Sequence, residues 1–275
     1  MVLGRDSDAK TLAPDNAIDG NEAILEVKGL TKIFGGLVAV NRIDFSIPKG
    51  KVTAIIGPNG AGKTTTFNLV AGAFPPTAGE IWFKKRKVSG MSAHSIAKLG
   101  IARTFQNVQL FANMSVVENV MVGRHSRSKA GFFATALRLP DMRGEERRIF
   151  DSAMEKLAFV GLADRANDEP LSLPFGQQKL LEIARALAVE PDLLLLDEPA
   201  GGLSSQEIED LAKRIESIVS AGLTVMLVEH RMQLVMGIAD KIIVLDYGDK
   251  LAEGTPREVR SNQAVISAYL GGGFV

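Results

Sequence analysis

A glycine-rich segment contains the first residues along the sequence that could bind a ligand. It reads Gly57-Pro58-Asn59-Gly60-Ala61-Gly62-Lys63-Thr64. This is the P-loop pattern, in which glycines let the backbone curl so that successive N–H groups point at a phosphate chain. In that pattern Lys63 neutralises the outer phosphates and Thr64 ligates Mg²⁺. The segment predicts a nucleotide site, and the alternative is a glycine-rich turn that matches the pattern by coincidence.

Two adjacent acids, Asp197 and Glu198, form the second candidate group. They follow the apolar run Leu193-Leu194-Leu195-Leu196, which is typical of a strand buried on both faces. Ligands of open α/β sheets bind at the carboxyl ends of such strands. Asp197 therefore suits a metal ion, and Glu198 suits the polarisation of an attacking water molecule. A solvated acid pair at the end of a strand is the alternative interpretation.

Strands alternating with helices must position these residues. Continuous apolar runs predict buried strands at 52–56, 193–196, 223–228 and 242–245, and shorter segments at 24–27 and 43–47 also have β character. A helix should follow the P-loop and end before Pro75. Another should carry the apolar face between Ile208 and Val219 and close at Gly222. This alternation predicts a parallel sheet with helices on both faces, and roughly 104–187 reads as an inserted helical lobe.

The composition excludes several classes of protein. The 275 residues contain 32 Lys+Arg and 32 Asp+Glu, so no basic excess points to nucleic acid. The absence of Cys excludes disulfides and thiolate sites, and His94, His125 and His230 are too far apart in sequence for a zinc motif. No apolar run reaches the length of about 20 residues that a membrane span needs. Residues 1–22 lack the apolar core of a signal peptide, and we expect a mobile tail there.

Together with three further motifs, these residues resemble the ATP-binding subunits of ABC transporters over residues 23–275. Gln106 stands in Arg103-Thr104-Phe105-Gln106-Asn107, where the family has its Q-loop. Leu173-Pro174-Phe175-Gly176-Gln177-Gln178 matches the signature, and His230 in Val228-Glu229-His230 matches the switch histidine. The segment 34–40, the form of the signature and the long insertion at 125–146 are most similar to the branched-chain amino acid branch.

The resemblance implies a fold and a division of the chain. It implies an α/β fold with a P-loop NTPase (RecA-like) core, an antiparallel β subdomain and an inserted α-helical subdomain. The core lobe is expected at about 23–103 and 188–250, the helical lobe at about 104–187, and a C-terminal helical extension at about 251–275.

The resemblance also assigns roles to residues. Glu198 is implied as the base, with Lys63, Gln106 and His230 completing the catalytic set, and Mg²⁺ is expected on Thr64, Gln106 and Asp197. The residues implied in ATP binding are Phe34, which stacks on adenine, then Gly57, Pro58, Asn59, Gly60, Ala61, Gly62, Lys63, Thr64, Thr65, Gln106 and Asp197, and, from the signature, Phe175, Gly176 and Gln177. Without the family, Phe34 would read equally as a core residue.

Partners follow from the same resemblance. The start of the signature helix offers N–H groups to an anion, which in the family is the γ-phosphate of ATP held by a second cassette, either a copy of this chain or a sibling. The resemblance further implies integral membrane permease subunits, an extracytoplasmic substrate-binding protein that acts indirectly, no nucleic acid, and a peripheral location on the cytoplasmic face of the inner membrane. The cofactors expected are ATP and Mg²⁺.

Two positions depart from the family pattern. Pro174 replaces the Ser often found in the signature, and Ser204 stands where many relatives have Asp. Branched-chain amino acids are the expected substrate, with urea, amides or lipopolysaccharide as alternatives; a non-transport ATPase and a binding module without catalysis are the other classes. The basic run Lys84-Lys85-Arg86-Lys87 is interpreted as a solvated hairpin rather than a lipid or nucleic-acid patch.

Overall fold

Two sheets and nine helices make up the part of the chain that the computed structural model describes, which is residues 22–104, 108–125 and 140–270. The strands are β1 (Ala23–Phe34), β2 (Leu37–Pro48), β3 (Val52–Ile56), β4 (Ala78–Phe83), β5 (Arg86–Lys87), β6 (Ile101–Arg103), β7 (Leu193–Asp197), β8 (Thr224–Val228), β9 (Lys241–Asp246) and β10 (Asp249–Gly254). The helices are α1 (Lys63–Val70), α2 (Ala93–Leu99), α3 (Val116–His125), α4 (Pro140–Val160), α5 (Phe175–Leu187), α6 (Ser205–Ser220), α7 (Met232–Ile238), α8 (Pro256–Ser261) and α9 (Gln263–Leu270).

The larger sheet has six strands in the order β10-β9-β3-β8-β7-β6. Strands β9, β3, β8, β7 and β6 run parallel, and β10 pairs antiparallel with β9 through a hairpin. The residues of β3, β7 and β8 are all buried, as continuous apolar runs predict for strands covered on both faces. The predicted parallel sheet is therefore confirmed, with one antiparallel edge strand added.

The smaller sheet is antiparallel, with strand order β2-β1-β4-β5. Alternate side chains divide the core around the larger sheet into two layers. Ile55, Leu195 and Met226 face the layer that contains the antiparallel sheet, α1 and α2. Ala54, Leu194 and Leu227 face the layer that contains α5, α6 and α7. Each central strand thus contributes to both layers, which explains why its sequence shows no apolar–polar alternation.

The described residues between β6 and β7 are mostly helical. Helices α3, α4 and α5 pack on one another, and Val120, Leu157 and Leu181 are fully buried where they meet. Two short 3₁₀ turns, Ala163–Arg165 and Pro170–Ser172, connect α4 to α5. After residue 250 the chain first completes β10, and helix begins only at Pro256, because Thr255 caps α8 with its side chain. Within the described part of the chain, no helix combines the length and apolar character needed to cross a bilayer.

The basic run forms a tight hairpin between β4 and β5. Lys84 and Lys85 occupy left-handed backbone conformations, with φ of 48° and 63°. Three of its cations pair with acids: Lys84 with Asp192, Lys85 with Glu22 at 2.9 Å, and Lys87 with Glu80 at 2.6 Å. The interpretation as a solvated hairpin is confirmed. By contrast, the predicted tail, apart from Glu22, and residues 126–139 of the insertion lie outside the described residues.

Candidate nucleotide site

Three neighbouring strands deliver the candidate residues to one edge of the sheet. Strand β8 lies between β3 and β7, with Ile55 and Asp197 both in register with Val228. The three strands are parallel, so their carboxyl ends meet at the same edge. The P-loop follows β3, Glu198 follows β7, and Glu229-His230 follows β8. The fold thus brings together groups separated by up to 173 positions in the chain (230 − 57).

The P-loop has the curled backbone that its glycines predict. Gly57 has a φ of 152°, and a Cβ there would overlap the carbonyl oxygen of Leu245. Gly62 has a φ of 94°, and its Cβ would lie 2.5 Å from the carbonyl oxygen of Ala39. Gly62 is also the N-cap of α1, so the loop ends at the positive end of a helix. A side chain is excluded at Gly57 and Gly62 by neighbouring backbone, not only by local conformation.

Lys63 lies across this loop. Its side chain is buried, and Nζ donates to the carbonyl oxygens of Gly57 and Pro58, each at 2.8 Å. Burial lowers the pKa of Lys63, and the nearby charge of Glu198 opposes that shift. Thr64 is exposed and Thr65 is half-buried at the start of α1. The loop therefore combines a cation, a hydroxyl and a helix N-terminus, a set suited to phosphate and its metal ion.

Asp197 is buried at the end of β7. Its Oδ1 has no hydrogen-bond partner among the described residues. Burial raises the pKa of this carboxyl, while the guanidinium of Arg103 lowers it. A buried carboxylate oxygen with an unused lone pair is costly, and it is also the hard ligand that Mg²⁺ prefers. The residues present therefore fit a magnesium ion.

Glu198 and His230 face each other next to this acid. Glu198 has a left-handed backbone, with a φ of 46°, and its N–H donates to the carbonyl oxygen of Val228 at 2.9 Å. The Nδ1 of His230 lies 3.9 Å from Oε2 of Glu198, beyond hydrogen-bonding distance. The His230 side chain is half exposed, whereas that of Glu198 is 27% exposed. Both side chains therefore border a space that solvent and a ligand can reach.

Gln106 lies outside the described residues. The residue two positions before it, Thr104, directly follows β6, and the N–H of Asp197 donates to its Oγ1 at 3.4 Å. The chain thus leaves β6 at the same edge of the sheet as the other candidate residues.

Phe34 lies at the end of β1, and its ring is 44% exposed rather than part of the core. Its ring centroid is 5.3 Å from that of Phe74 in an edge-to-face arrangement, and Nζ of Lys32 lies 4.9 Å from the Phe34 centroid. These neighbours restrict the orientation of an exposed ring, which suits it to stacking.

The signature residues begin α5 at the surface. Phe175 is 47% exposed, and the N-cap, Pro174, provides no side-chain hydrogen bond. The side chain of Glu207 approaches from α6, and its Oε1 would lie 2.5 Å from a Cβ on Gly176. The pKa of Glu207 is lowered by the backbone N–H and hydroxyl of Ser204 and, to a smaller extent, by the N–H of Gly176. Ser204, the departure from the family pattern, is thus the N-cap of α6.

Two buried charged residues at this site received no role from the sequence. Lys179 on α5 donates from Nζ to the carbonyl oxygen of Glu198 at 3.0 Å, and burial lowers its pKa. Glu229 is fully buried between β8 and His230. An acid directly after a continuous apolar strand is the signal that singled out Asp197, and the same signal was present for Glu229. Lys179 gave no comparable signal, because its partner is 19 positions away.

Two protein-family models match the sequence. The ABC transporter model matches residues 40–201, and the branched-chain amino acid ATP-binding cassette transporter model matches residues 250–275. The second match covers β10, α8 and α9, a part of the chain in which the sequence by itself offered no motif.

Curated proteins and solved structures agree with the family match. The high-affinity branched-chain amino acid transport ATP-binding protein BraF of Pseudomonas aeruginosa is 45% identical over 249 residues, which are 90% of this chain and 98% of BraF. LivG of Salmonella typhimurium, with the same description, is 42% identical over 252 residues, 91% of this chain and 99% of LivG. A nucleotide-free ATP-binding cassette from an ABC transporter has a TM-score of 0.79 at 29% identity, covering 90% of this chain and 99% of its own. A dimeric ATP-binding cassette in a post-hydrolysis state, bound to ADP and Pi, has a TM-score of 0.71 at 26% identity, covering 85% and 99%.

Proposed function

Because this chain belongs to the ABC transporter family and is therefore an ATP hydrolase, we propose that it powers the import of branched-chain amino acids through a separate membrane permease. The observation that carries the substrate class is the identity of 42–45% with LivG and BraF over about nine tenths of this chain and nearly all of theirs. The same identity supports a second cassette and permease subunits as its partners. It also supports a peripheral location of this chain at the membrane that holds the permease.

The P-loop supplies the binding half of the reaction. The N–H groups of its curled backbone and the start of α1 hold the phosphate chain of ATP, and Lys63 neutralises the outer phosphates. Thr64 and Asp197 would hold Mg²⁺, with Gln106 as a further ligand. Bound there, the ion supplies charge neutralisation on the β- and γ-phosphates.

Glu198 supplies the chemical half. Its carboxylate accepts a proton from a water molecule whose oxygen attacks the γ-phosphorus, while the bond from that phosphorus to the bridging oxygen breaks and ADP leaves. His230, which faces Glu198 at 3.9 Å, donates to the γ-phosphate oxygens as charge develops on them.

The signature supplies the coupling. Phe175 at the start of α5 is exposed, and the positive end of this helix suits the γ-phosphate of ATP held by the other cassette. ATP then joins two cassettes, and hydrolysis removes the phosphate that favoured their closure. The difference in affinity between open and closed pairs is what can drive a permease.

The catalytic assignment is tested by replacing Glu198 with Gln in the purified chain. We expect ATP binding to persist and turnover to fall about 10²-fold or more, because the general base is lost. Glu209→Gln on the exposed face of α6 is the matched control and should keep normal turnover. Turnover near that of the unmodified chain in Glu198→Gln would contradict the role of Glu198.

The substrate class is tested by uptake in source cells whose only copy carries Glu198→Gln. Loss of leucine uptake, with urea and an unrelated sugar taken up normally, is the result expected. Normal leucine uptake together with loss of urea uptake would overturn the substrate class while leaving the ATPase assignment intact.

A further inference from the structure

Glu229 is a buried acid at the nucleotide site whose function is unexplained by the reaction described above. Its side chain has no solvent exposure. Burial of a carboxylate is expensive unless several donors surround it. The donors that surround Glu229 should therefore indicate what this acid does.

The two oxygens of Glu229 bind the backbones of two different loops. Oε1 accepts from the N–H of Ala200 at 2.7 Å. Oε2 accepts from the N–H groups of His230 and Arg231, at 2.8 and 2.9 Å. The Nδ1 of His230 is 4.0 Å from Oε2, so the imidazole is not the partner. The carboxylate thus joins the loop after β7 to the loop after β8, with one oxygen for each loop.

The first of these loops carries Glu198. Ala200 lies two residues after Glu198, and the N–H of Gly201 donates to the carbonyl oxygen of Glu198 at 3.1 Å. The same carbonyl oxygen accepts from Lys179, and the N–H of Glu198 is bound to Val228. The backbone of the loop after β7 is therefore held by hydrogen bonds at Glu198 and, two residues later, at Ala200. The second loop begins with His230.

We propose that Glu229 is a positioning residue that holds Glu198 and His230 in one fixed relation by binding the backbones of both loops. This inference depends on the proposed roles of Glu198 and His230 in hydrolysis. The 3.9 Å between their side chains leaves them no direct hydrogen bond, so their separation is set by the backbone that Glu229 joins. Catalysis is sensitive to displacements of about 1 Å in such groups.

Replacement with Gln separates this role from simple packing. An amide has the shape of the carboxylate but only one acceptor atom, and its NH₂ group would have to face N–H donors on one of the two loops. We expect Glu229→Gln to lower kcat about 10- to 100-fold, the range expected when a charge-assisted hydrogen bond is lost. The KM for ATP should change by less than about threefold, because the hydrogen bonds of the Glu229 carboxylate go to Ala200, His230 and Arg231 and not to the P-loop.

A double-mutant cycle supplies a readout that a purely structural role would not move. In a His230→Ala background, Glu229→Gln should lower kcat by less than about threefold, because one of the two residues whose relation it fixes is already absent. Equal loss in both backgrounds, or a parallel rise in the KM for ATP, would overturn the proposal. Glu253→Gln is the matched control: this acid is part-buried on the edge strand β10 and pairs with Lys241 and Lys250, each at 2.6 Å. It should leave kcat unchanged.

A second variant keeps the proposal testable if Glu229→Gln does not fold. Arg231 is exposed, has a φ of −79° and caps α7 without a side-chain hydrogen bond. Arg231→Pro fits that φ and removes one N–H from Oε2, so it should lower kcat about 3- to 10-fold with an unchanged KM. Normal kcat in this variant would contradict the proposal. Failure of the proposed function itself would be seen separately, as normal turnover in Glu198→Gln.

Discussion

The P-loop and the signature are both loops that lead into a helix, but they differ in how much of their surroundings the chain itself provides. Around the P-loop, backbone from β2 and β9 closes on Gly62 and Gly57, and Lys63 is buried on the loop's own carbonyls. Around the signature, Phe175 is exposed and the helix start has no side-chain cap. In the proposed function, the first site is complete within one chain, whereas the second faces the nucleotide of another cassette.

The largest effect is expected when Gly57 in the P-loop is replaced with Ala. The new Cβ would overlap the carbonyl oxygen of Leu245, which is sheet backbone and cannot move aside easily. We expect ATP binding to fall about 10²-fold or more, the scale for losing preorganised donors to a phosphate. Gly60→Ala is the control: its φ is 82°, but a Cβ there has open space, so it should cost only the local backbone strain, about 1–2 kcal/mol. Binding of a fluorescent ATP analogue measures both effects. Equal affinity of the two variants would contradict the role assigned to the backbone around Gly57.

The corresponding substitution in the signature is Gly176→Ala. Its Cβ would meet Oε1 of Glu207, the far end of a flexible side chain, so the chain should fold normally. ATP binding to the single chain should stay within about twofold, while hydrolysis and nucleotide-dependent dimerisation should fall about 10- to 100-fold, because N–H donors to the partner's phosphate are obstructed. Light scattering with ATP and an ATPase assay separate the two effects. A loss of ATP binding by the single chain would show that the signature contributes within one chain after all.

The smallest effects are on stability, and they should have opposite signs in the two regions. Asp197 has a raised pKa, so its destabilising charge is fully present above the folded-state pKa and is lost as the pH falls through that value toward 3.8. Asp197→Asn should therefore stabilise the nucleotide-free chain at pH 7 by about 1–3 kcal/mol, and this gain should shrink on acidification.

The acid next to the signature should behave in the reverse way. The pKa of Glu207 is lowered from 4.5, so the stability that its charge contributes is present above pH 4.5 and is lost as the pH falls through the folded-state pKa. Glu207→Gln should lower the melting temperature at pH 7, and its difference from the unmodified chain should shrink as the pH falls below 4.5 toward the folded-state pKa. Thermal melts of both variants between pH 4 and 8 test the pair. If both substitutions shifted the melting temperature in the same direction, the difference between the two acids would be contradicted. That difference is that burial destabilises the charge of Asp197, whereas hydrogen bonds near the surface stabilise the charge of Glu207.

The sequence determined the elements and the motifs because both are properties of short, contiguous stretches. Continuous apolar runs predicted β3, β7, β8 and β9, since a strand covered on both faces needs no polar side. The spacing of Gly57, Gly62 and Lys63 predicted a curled loop at a helix start, since backbone freedom is local to each glycine. The order of the motifs along the chain was sufficient for the family. The edge strand β10 was missed, because its largely polar sequence has no apolar pattern over so few residues.

Tertiary structure alone decided which groups act on one another. Lys179 reaches the carbonyl oxygen of Glu198 across 19 positions, and Glu229 reaches Ala200 across 29. No periodicity encodes such pairs, because they depend on which strands become neighbours and where each strand ends. The sequence also does not show what burial does to a charged group. Asp197 and Glu207 are both acids, yet the pKa of Asp197 is raised because it is buried. The pKa of Glu207 is lowered because it accepts hydrogen bonds from N–H and hydroxyl donors near the surface. Residue types and spacing thus specified the chemistry available, and the packing of the sheet edge determined the geometry in which it is used.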